Sequence, residues 1–221
     1  MLRFEIDHPT LRLGLVHAAH VNARASDPPL LDALTRAEER VRADSAAYPE
    51  AVRTVVRDVL RVGGYKPTGR GKPASELLLA MAQKDGVPRI LNLVDSNNLA
   101  SLTSALPISI FDAARLGNDV CVRFGREGES YVFNASGHAM DLAGLPVVCR
   151  GTEPVGNAVR DSMLCKVNAE TTSVFVVLYG SRALPADTLQ RAAEHVRALL
   201  VDYADARDVT LDFTTGSATP R

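Results

Sequence analysis

The stretch Ser173-Val-Phe-Val-Val-Leu-Tyr179 constrains this chain more than any other, because it is a continuous apolar run with no charge. It is far too short to cross a membrane, which takes about 18 residues. Its β-branched and aromatic content reads as a strand, and the lack of alternation reads as one buried on both faces. Such a strand needs a neighbour on each side and apolar layers above and below. The chain has the material: 46% of its 221 residues are hydrophobic. That length allows one large domain or two small ones, and is enough to bury about 70% of the unfolded surface without disulfide or metal staples.

Periodicity supplies the surrounding elements. Residues 2–6 and 11–16 read as short strands around an Asp7-His8-Pro9 turn. After Asp27-Pro28-Pro29, the residues Leu30, Leu31, Leu34, Ala37 and Val41 recur at helical spacing. Tyr48-Pro49 opens a second helix with Val52, Val55, Val56, Val59 and Leu60 on one face, and Gly63-Gly64 stops it. Residues 65–73 hold two Gly and two Pro and predict a loop. Ser75 is the expected cap of a third helix that ends at Gly86. A fourth is expected after Asn92-Leu93-Val94, capped by Asp95 or Ser96 and running to about Ala105. Asp119–Phe124 and Ser130–Asn134 alternate across Gly125-Arg-Glu-Gly128, a hairpin signal. Leu145–Arg150 reads as a strand, 151–172 as polar and irregular, Pro185–Tyr203 as a long helix, Val209–Phe213 as a last strand and 214–221 as a frayed tail. No repeat or linker divides the chain, so the order predicts one mixed α+β domain, with mixed or antiparallel sheets flanked by helices.

Charge and cysteine narrow the function. Lys+Arg number 25 against Asp+Glu 26, a net charge of −1. A general nucleic-acid coat protein would be far more basic, so any nucleic-acid contact is local. Three separated cysteines (Cys121, Cys149, Cys165) with no C-x-x-C argue against a disulfide framework or zinc ribbon and suit a reducing cytoplasm. The N-terminus lacks a signal-peptide hydrophobic region. His17 and His20 have a spacing that ligates metal on a helix, but no third ligand is near them in sequence. No metal, cofactor, membrane or DNA is expected.

Three polar stretches carry candidate chemistry. The first is the basic loop: four basic residues and no acid lie between Arg61 and Lys72. The plain reading is a solvated loop; the sharper one is a phosphate contact through Lys66, Arg70 and Lys72, with Gly allowing close backbone approach. The second is Asn92-Leu-Val-Asp-Ser-Asn-Asn-Leu-Ala-Ser101. It gathers Asn92, Asp95, Ser96, Asn97, Asn98 and Ser101 at a helix start, where free N–H groups favour an anionic or ester oxygen. Its plain reading is an over-furnished cap. The third is Arg160-Asp161-Ser162 with Lys166, Asn168 and Glu170, just before the buried strand; its plain reading is a salt-bridged surface loop.

Taken in order, these stretches resemble a known family. Asn92-Leu-Val-Asp-Ser-Asn-Asn98, Pro107-Ile-Ser-Ile-Phe-Asp112, the strand Val120–Phe124, Arg160-Asp-Ser162, Lys166–Asn168 and Glu170-Thr171 are similar to the editing domain (modules B3 and B4) of the bacterial phenylalanyl-tRNA synthetase beta subunit. They are more similar still to that domain's free-standing relatives, which also share the Ser75-Glu-Leu-Leu78 helix start. The resemblance covers residues 65–182. It implies hydrolysis of the ester of a mischarged tRNA by a protein acting in trans, without aminoacylation, ATP or a cofactor, and with the tRNA acceptor end as partner. The alternative is a module that binds aminoacyl-tRNA or an amino acid without turnover.

Carried over by motif, Asp161, Asn98 and Ser109 are the expected catalytic residues. Asn92, Asp95, Asn97, Ser101, Arg160, Ser162 and Glu170 are expected to bind substrate, and Lys66, Arg70, Lys72 and Lys166 the tRNA. Ser109 stands where the synthetase pattern has His, and His138 is a possible stand-in. Val155-Gly-Asn157 occupies the place where relatives often have Trp. The expected organisation is an N-terminal extension (1–62), a B3/B4-like core (63–182), a C-terminal completion (183–213) and a tail (214–221).

Overall fold

The computed structural model describes residues 3–6, 8–44 and 48–215. The apolar run forms β9 (Val174–Ser181), placed inside a four-stranded sheet of order β10-β2-β9-β3. Its neighbours β2 (Leu11–Ala19) and β3 (Ile108–Asp112) both pair with it antiparallel, and β10 (Arg207–Thr215) pairs with β2 at the edge. A continuous apolar strand is usual in parallel sheets. Here an antiparallel one is covered on both faces, which demands the same composition.

Alternation along the strands sorts the two layers. Val174, Val176 and Leu178 of β9, Val16 and Ala18 of β2, and Ile108 and Ile110 of β3 face a helical layer. That layer is built from α1 (Pro28–Ala43), α3 (Ala74–Lys84), α4 (Asn92–Ser104) and α6 (Thr188–Ala204). Val177 and Tyr179, Leu11, Leu13 and Leu15, and Phe111 face the other way. They meet a second sheet of order β1-β4-β7-β8, made from Arg3–Phe4, Val120–Phe124, Pro146–Arg150 and Glu153–Asn157. The pairing of β1 with β4 is parallel and the others antiparallel. Helix α2 (Glu50–Arg61) bridges the layers, with Val52 and Val56 in one core and Val59 and Leu60 in the other. A short α5 (Ala113–Leu116) and a ribbon of β5 (Ser130–Val132) with β6 (Ala139–Asp141) complete the mixed α+β domain.

Several local expectations are overturned. The hairpin expected across Gly125–Gly128 does not form: β4 pairs with β1 and β7, and β5 with β6. The turn residues are there, but the apolar partners of β4 lie elsewhere. The stretch expected to be irregular over 151–172 contains β8. Ser75 does not cap α3. Pro73 takes that position, the N–H of Ala74 donates to the carbonyl of Ala158 at 2.9 Å, and Ser75 is buried in the first turn beside the Tyr48 hydroxyl. Helix α4 begins at Asn92, before Asp95 and Ser96, so neither is its cap. The 65–73 loop holds one 3₁₀ turn, Gly69–Gly71. Thr214 and Thr215 belong to β10, while Leu2, Asp7 and residues 216–221, on which parts of the first strand, its turn and the tail were expected, lie outside the described residues. His17 sits in β2 and His20 just past its end, so the helical spacing that would make them joint ligands does not apply.

Candidate functional site

Because β3 alternates, Ser109 points with Phe111 toward the second sheet, away from the helices. There its hydroxyl donates to Oδ1 of Asp161 at 2.7 Å and lies 3.1 Å from the Tyr179 hydroxyl of β9. With its own proton committed to the carboxylate, Ser109 Oγ is left to accept from Tyr179. Asp161 sits on the loop after β8, where it also accepts from the backbone N–H of Asn157 at 3.3 Å. Asn157 shapes this loop. Its Oδ1 accepts from the N–H groups of Val159 and Arg160 at 2.7 and 3.1 Å, and its Nδ2 donates to the Tyr131 hydroxyl at 2.6 Å. Tyr131 in turn donates to the carbonyl of Arg160. Gly156 is needed here. A Cβ at that position would stand 2.5 Å from Asp161 Oδ1, inside van der Waals contact, so any side chain would push the carboxylate away.

Asp161 as a residue retains a partial opening to solvent, but its carboxyl is surrounded by protein. Desolvation therefore pushes its pKa from 3.8 up to about 7, against the opposing pull of the Ser109 hydroxyl, the Asn157 N–H and the Lys166 ammonium. Burial also raises Tyr131 and Tyr179, and the charge of Asp161 adds to both. The group thus holds one carboxyl that exchanges a proton near neutral pH and two phenols that remain hydrogen-bond donors.

The helix-start cluster is arranged differently. The amide of Asn92 is spent on three chain segments. Its Oδ1 accepts from the N–H of Arg24 (3.0 Å) and of Leu93 (2.9 Å), and its Nδ2 donates to the carbonyls of Asn22 and Tyr203, both at 2.8 Å. Asp95 accepts from Ser26 Oγ at 2.6 Å and from the N–H of Ile90 at 3.1 Å. Ser101 donates to the carbonyl of Leu106 at 2.7 Å. The first backbone N–H of α4, that of Asn92, donates to the Arg24 carbonyl, so a neighbouring segment covers the end of the helix. Asn97 lies at the border between the clusters. Its Nδ2 donates to the Ile108 carbonyl at 3.0 Å, one residue from Ser109, while its buried Oδ1 has no partner among the described residues. Asn98 is half-buried on the same helix.

The remaining expected residues spread along the outer edge of β3 and beyond. Ser162 is buried and accepts from the Leu164 N–H at 3.1 Å. Glu170 is exposed, its N–H donating to Asn168. Its neighbour Thr171 is buried and donates to Asp112 Oδ2 at 2.7 Å, joining two of the motif pieces. Lys166 turns inward: its Nζ donates to the Phe133 carbonyl at 2.9 Å, within reach of the Asp161 charge. Lys66 and Arg70 are exposed and Lys72 half-buried, and none forms an ion pair among the described residues. Arg160 points away from Asp161. It donates to the Arg70 carbonyl at 2.7 Å and lies 4.9 Å over the centroid of the Phe133 ring. His138 packs near-parallel to Phe133, with centroids 6.1 Å apart, and does not enter the Asp161 network.

Sequence reading missed Tyr179, Tyr131 and Asn157. The signal for Tyr179 was present: a phenol ending an apolar strand must find a partner when buried. A cleft of about 560 Å³ lies between α5 and the β10-β2-β9 face and contains none of these residues. A groove of about 480 Å³ is lined in part by Arg160, the residue before Asp161.

The fold and the site together define a three-layer α+β protein with a proton-exchanging carboxylate held beneath the edge strand of its central sheet. The B3/4 domain model matches residues 64–205, and the chain belongs to that family. A structure described as an N-terminal fragment of the phenylalanyl-tRNA synthetase beta-subunit from Pyrococcus horikoshii is similar over 95% of this chain and 49% of that one, at 10% identity and a TM-score of 0.47. The chain thus spans about half the length of that fragment. No curated protein sequence matches. Among the described residues, no helix is long and apolar enough to cross a membrane, and no group of three or more His, Cys, Asp or Glu is placed to hold a metal ion.

Proposed function

We propose that this protein hydrolyses the ester between an amino acid and the 3′ end of a tRNA, acting on tRNA charged elsewhere. The observation that carries the reading is the Asp161 carboxyl, whose pKa of about 7 suits it to take and return a proton at neutral pH. Asp161 as carboxylate takes a proton from water as the oxygen attacks the ester carbonyl. The tetrahedral adduct then expels the ribose oxygen, which receives that proton from Asp161. Ser109 and the Asn157 N–H hold Oδ1 of the carboxylate, with Tyr179 bonded to Ser109 behind them, and Oδ2 is assigned to the water. Asn97, with its unpartnered Oδ1, and Asn98 are assigned to the amino-acid side. Lys66, Arg70 and Lys72 are assigned to phosphates.

The test is a deacylation panel: tRNAs carrying tyrosine, its isomers and small polar amino acids, with and without the protein. Hydrolysis of at least one, slowed strongly by Asp161→Asn, is the expected result. If every ester survives while a synthetase control cleaves them, the hydrolase reading fails. A second reading, binding without turnover, is favoured by the depth of Ser109, which is 2% exposed. It predicts that an intact charged tRNA is retained in a filter-binding assay.

A further inference from the structure

The groove beside Arg160 has a composition that the hydrolytic step does not use. One wall is Tyr65 with the Gly69–Gly71 turn, and the other is Phe133, His138 and Met140 of the β5–β6 ribbon. Arg160 spans the two, tied to the Arg70 carbonyl on one side and lying on the Phe133 ring on the other. The Tyr65 hydroxyl donates to the Gly71 carbonyl at 3.1 Å, and a Cβ at residue 71 would collide with that hydroxyl, so this wall is shaped by the absence of a side chain. Aromatic faces and a guanidinium plane together form a surface on which any nucleobase can stack. The exposed cation Arg70 lines the groove, and Lys66 is exposed on the same loop, as a phosphate would require.

We infer that this groove holds one unpaired nucleotide, its base stacked on the Phe133–Arg160–His138 surface and its phosphate toward Arg70 and Lys66. The inference deepens the hydrolase reading and rests on it for choosing an RNA 3′ end over a free nucleotide. Position supports the link. Arg160 and Asp161 are consecutive, about 3.8 Å apart at Cα, and send their side chains in opposite directions, to the groove and to Ser109. The groove and the Asp161 pocket thus lie on either side of one backbone segment.

The chain contains no Trp, so Phe133→Trp introduces a single indole reporter. We expect a single-stranded tetranucleotide ending in cytidine-cytidine-adenosine to quench this indole saturably, and adenosine monophosphate to do so more weakly. By an independent readout, fluorescence anisotropy of the labelled tetranucleotide, Phe133→Leu and the exposed His138→Ala should each weaken binding roughly tenfold, the scale of one lost stacking contact. Near-native melting temperatures would establish that both variants fold. Quenching by the mononucleotide equal to that by the RNA would overturn the choice of an RNA end. Absence of quenching, with anisotropy unchanged in the folded variants, overturns the groove itself. Binding that is intact and variant-sensitive, while the deacylation panel is silent, keeps the groove and rejects the hydrolase.

Discussion

The α4 start and the Asp161 pocket are two polar clusters that both draw on Asn, Asp and Ser side chains, and they end up with opposite properties. At α4, the side chains of Asn92 and Asp95 bond to Asn22, Arg24, Ser26, Ile90 and Tyr203 and so act as cross-links, while Ser96 Oγ and Asn97 Oδ1 are buried with no partner among the described residues. In the other pocket the carboxylate has only two neutral donors and a nearby ammonium, and desolvation outweighs them. Residue type does not separate a staple from a reactive group. The segments that each side chain meets in the fold do.

The comparison can be broken in order of expected effect. Asp161→Asn should slow ester hydrolysis by about 10²–10⁴-fold, the usual weight of one general base. In the wild type, the rate measured across pH should rise to a plateau above about 7, because the ionised form takes the proton. An unchanged rate in the variant would make Asp161 a bystander. Next, Asn92→Ala should cost about 3 kcal/mol by urea denaturation, since it strands two carbonyls and two N–H groups. Activity per folded molecule should stay the same; its loss would move Asn92 into the site.

Third, Asp161 ties the protein's stability to pH. Its folded pKa lies above its unfolded one, so the native state binds more protons between about 4 and 7 and stability falls as pH rises through that window. Asp161→Asn should therefore stabilise by about 1–2 kcal/mol at pH 8 in thermal melts, less than the full shift because the bonds from Ser109 and Asn157 to the carboxylate are weakened with it. The gain should vanish near pH 4, and a gain independent of pH would disprove the assignment. Smallest, Ser101→Ala should cost about 1 kcal/mol for its one buried bond. Glu170→Ala, on an exposed residue, should stay within about 0.5 kcal/mol.

Most of the fold was legible because burial imprints periodicity. The run that became β9, the helical spacing from Leu30 to Val41, and the faces of α2 and α6 all read directly from the chain. The misses share a cause. Asn92 and Ser75 are cap-type residues whose side chains went to tertiary partners, which spacing does not reveal. Strand β8 contains Pro154, Gly156 and Asn157, all poor strand formers; its pairing with β7 and the need for space at residue 156 override propensity. Of the site, the ordered motifs marked Asp161 and Ser109. The contact between them depends on β3 meeting a loop some fifty residues later, and Tyr179 joins only because β9 aligns with β3.

The position of β2 has a consequence for how the protein is made. This strand is synthesised about 155 residues before β9 and about 190 before β10, the two neighbours it pairs with. At typical rates of 5–20 residues per second, its apolar residues Leu11, Leu13, Leu15 and Val16 wait about 10–40 s for their partners. During that interval both edges of the strand are open to any other chain. The yield of native protein should therefore depend on chaperone capacity and growth temperature more than its equilibrium stability alone would suggest.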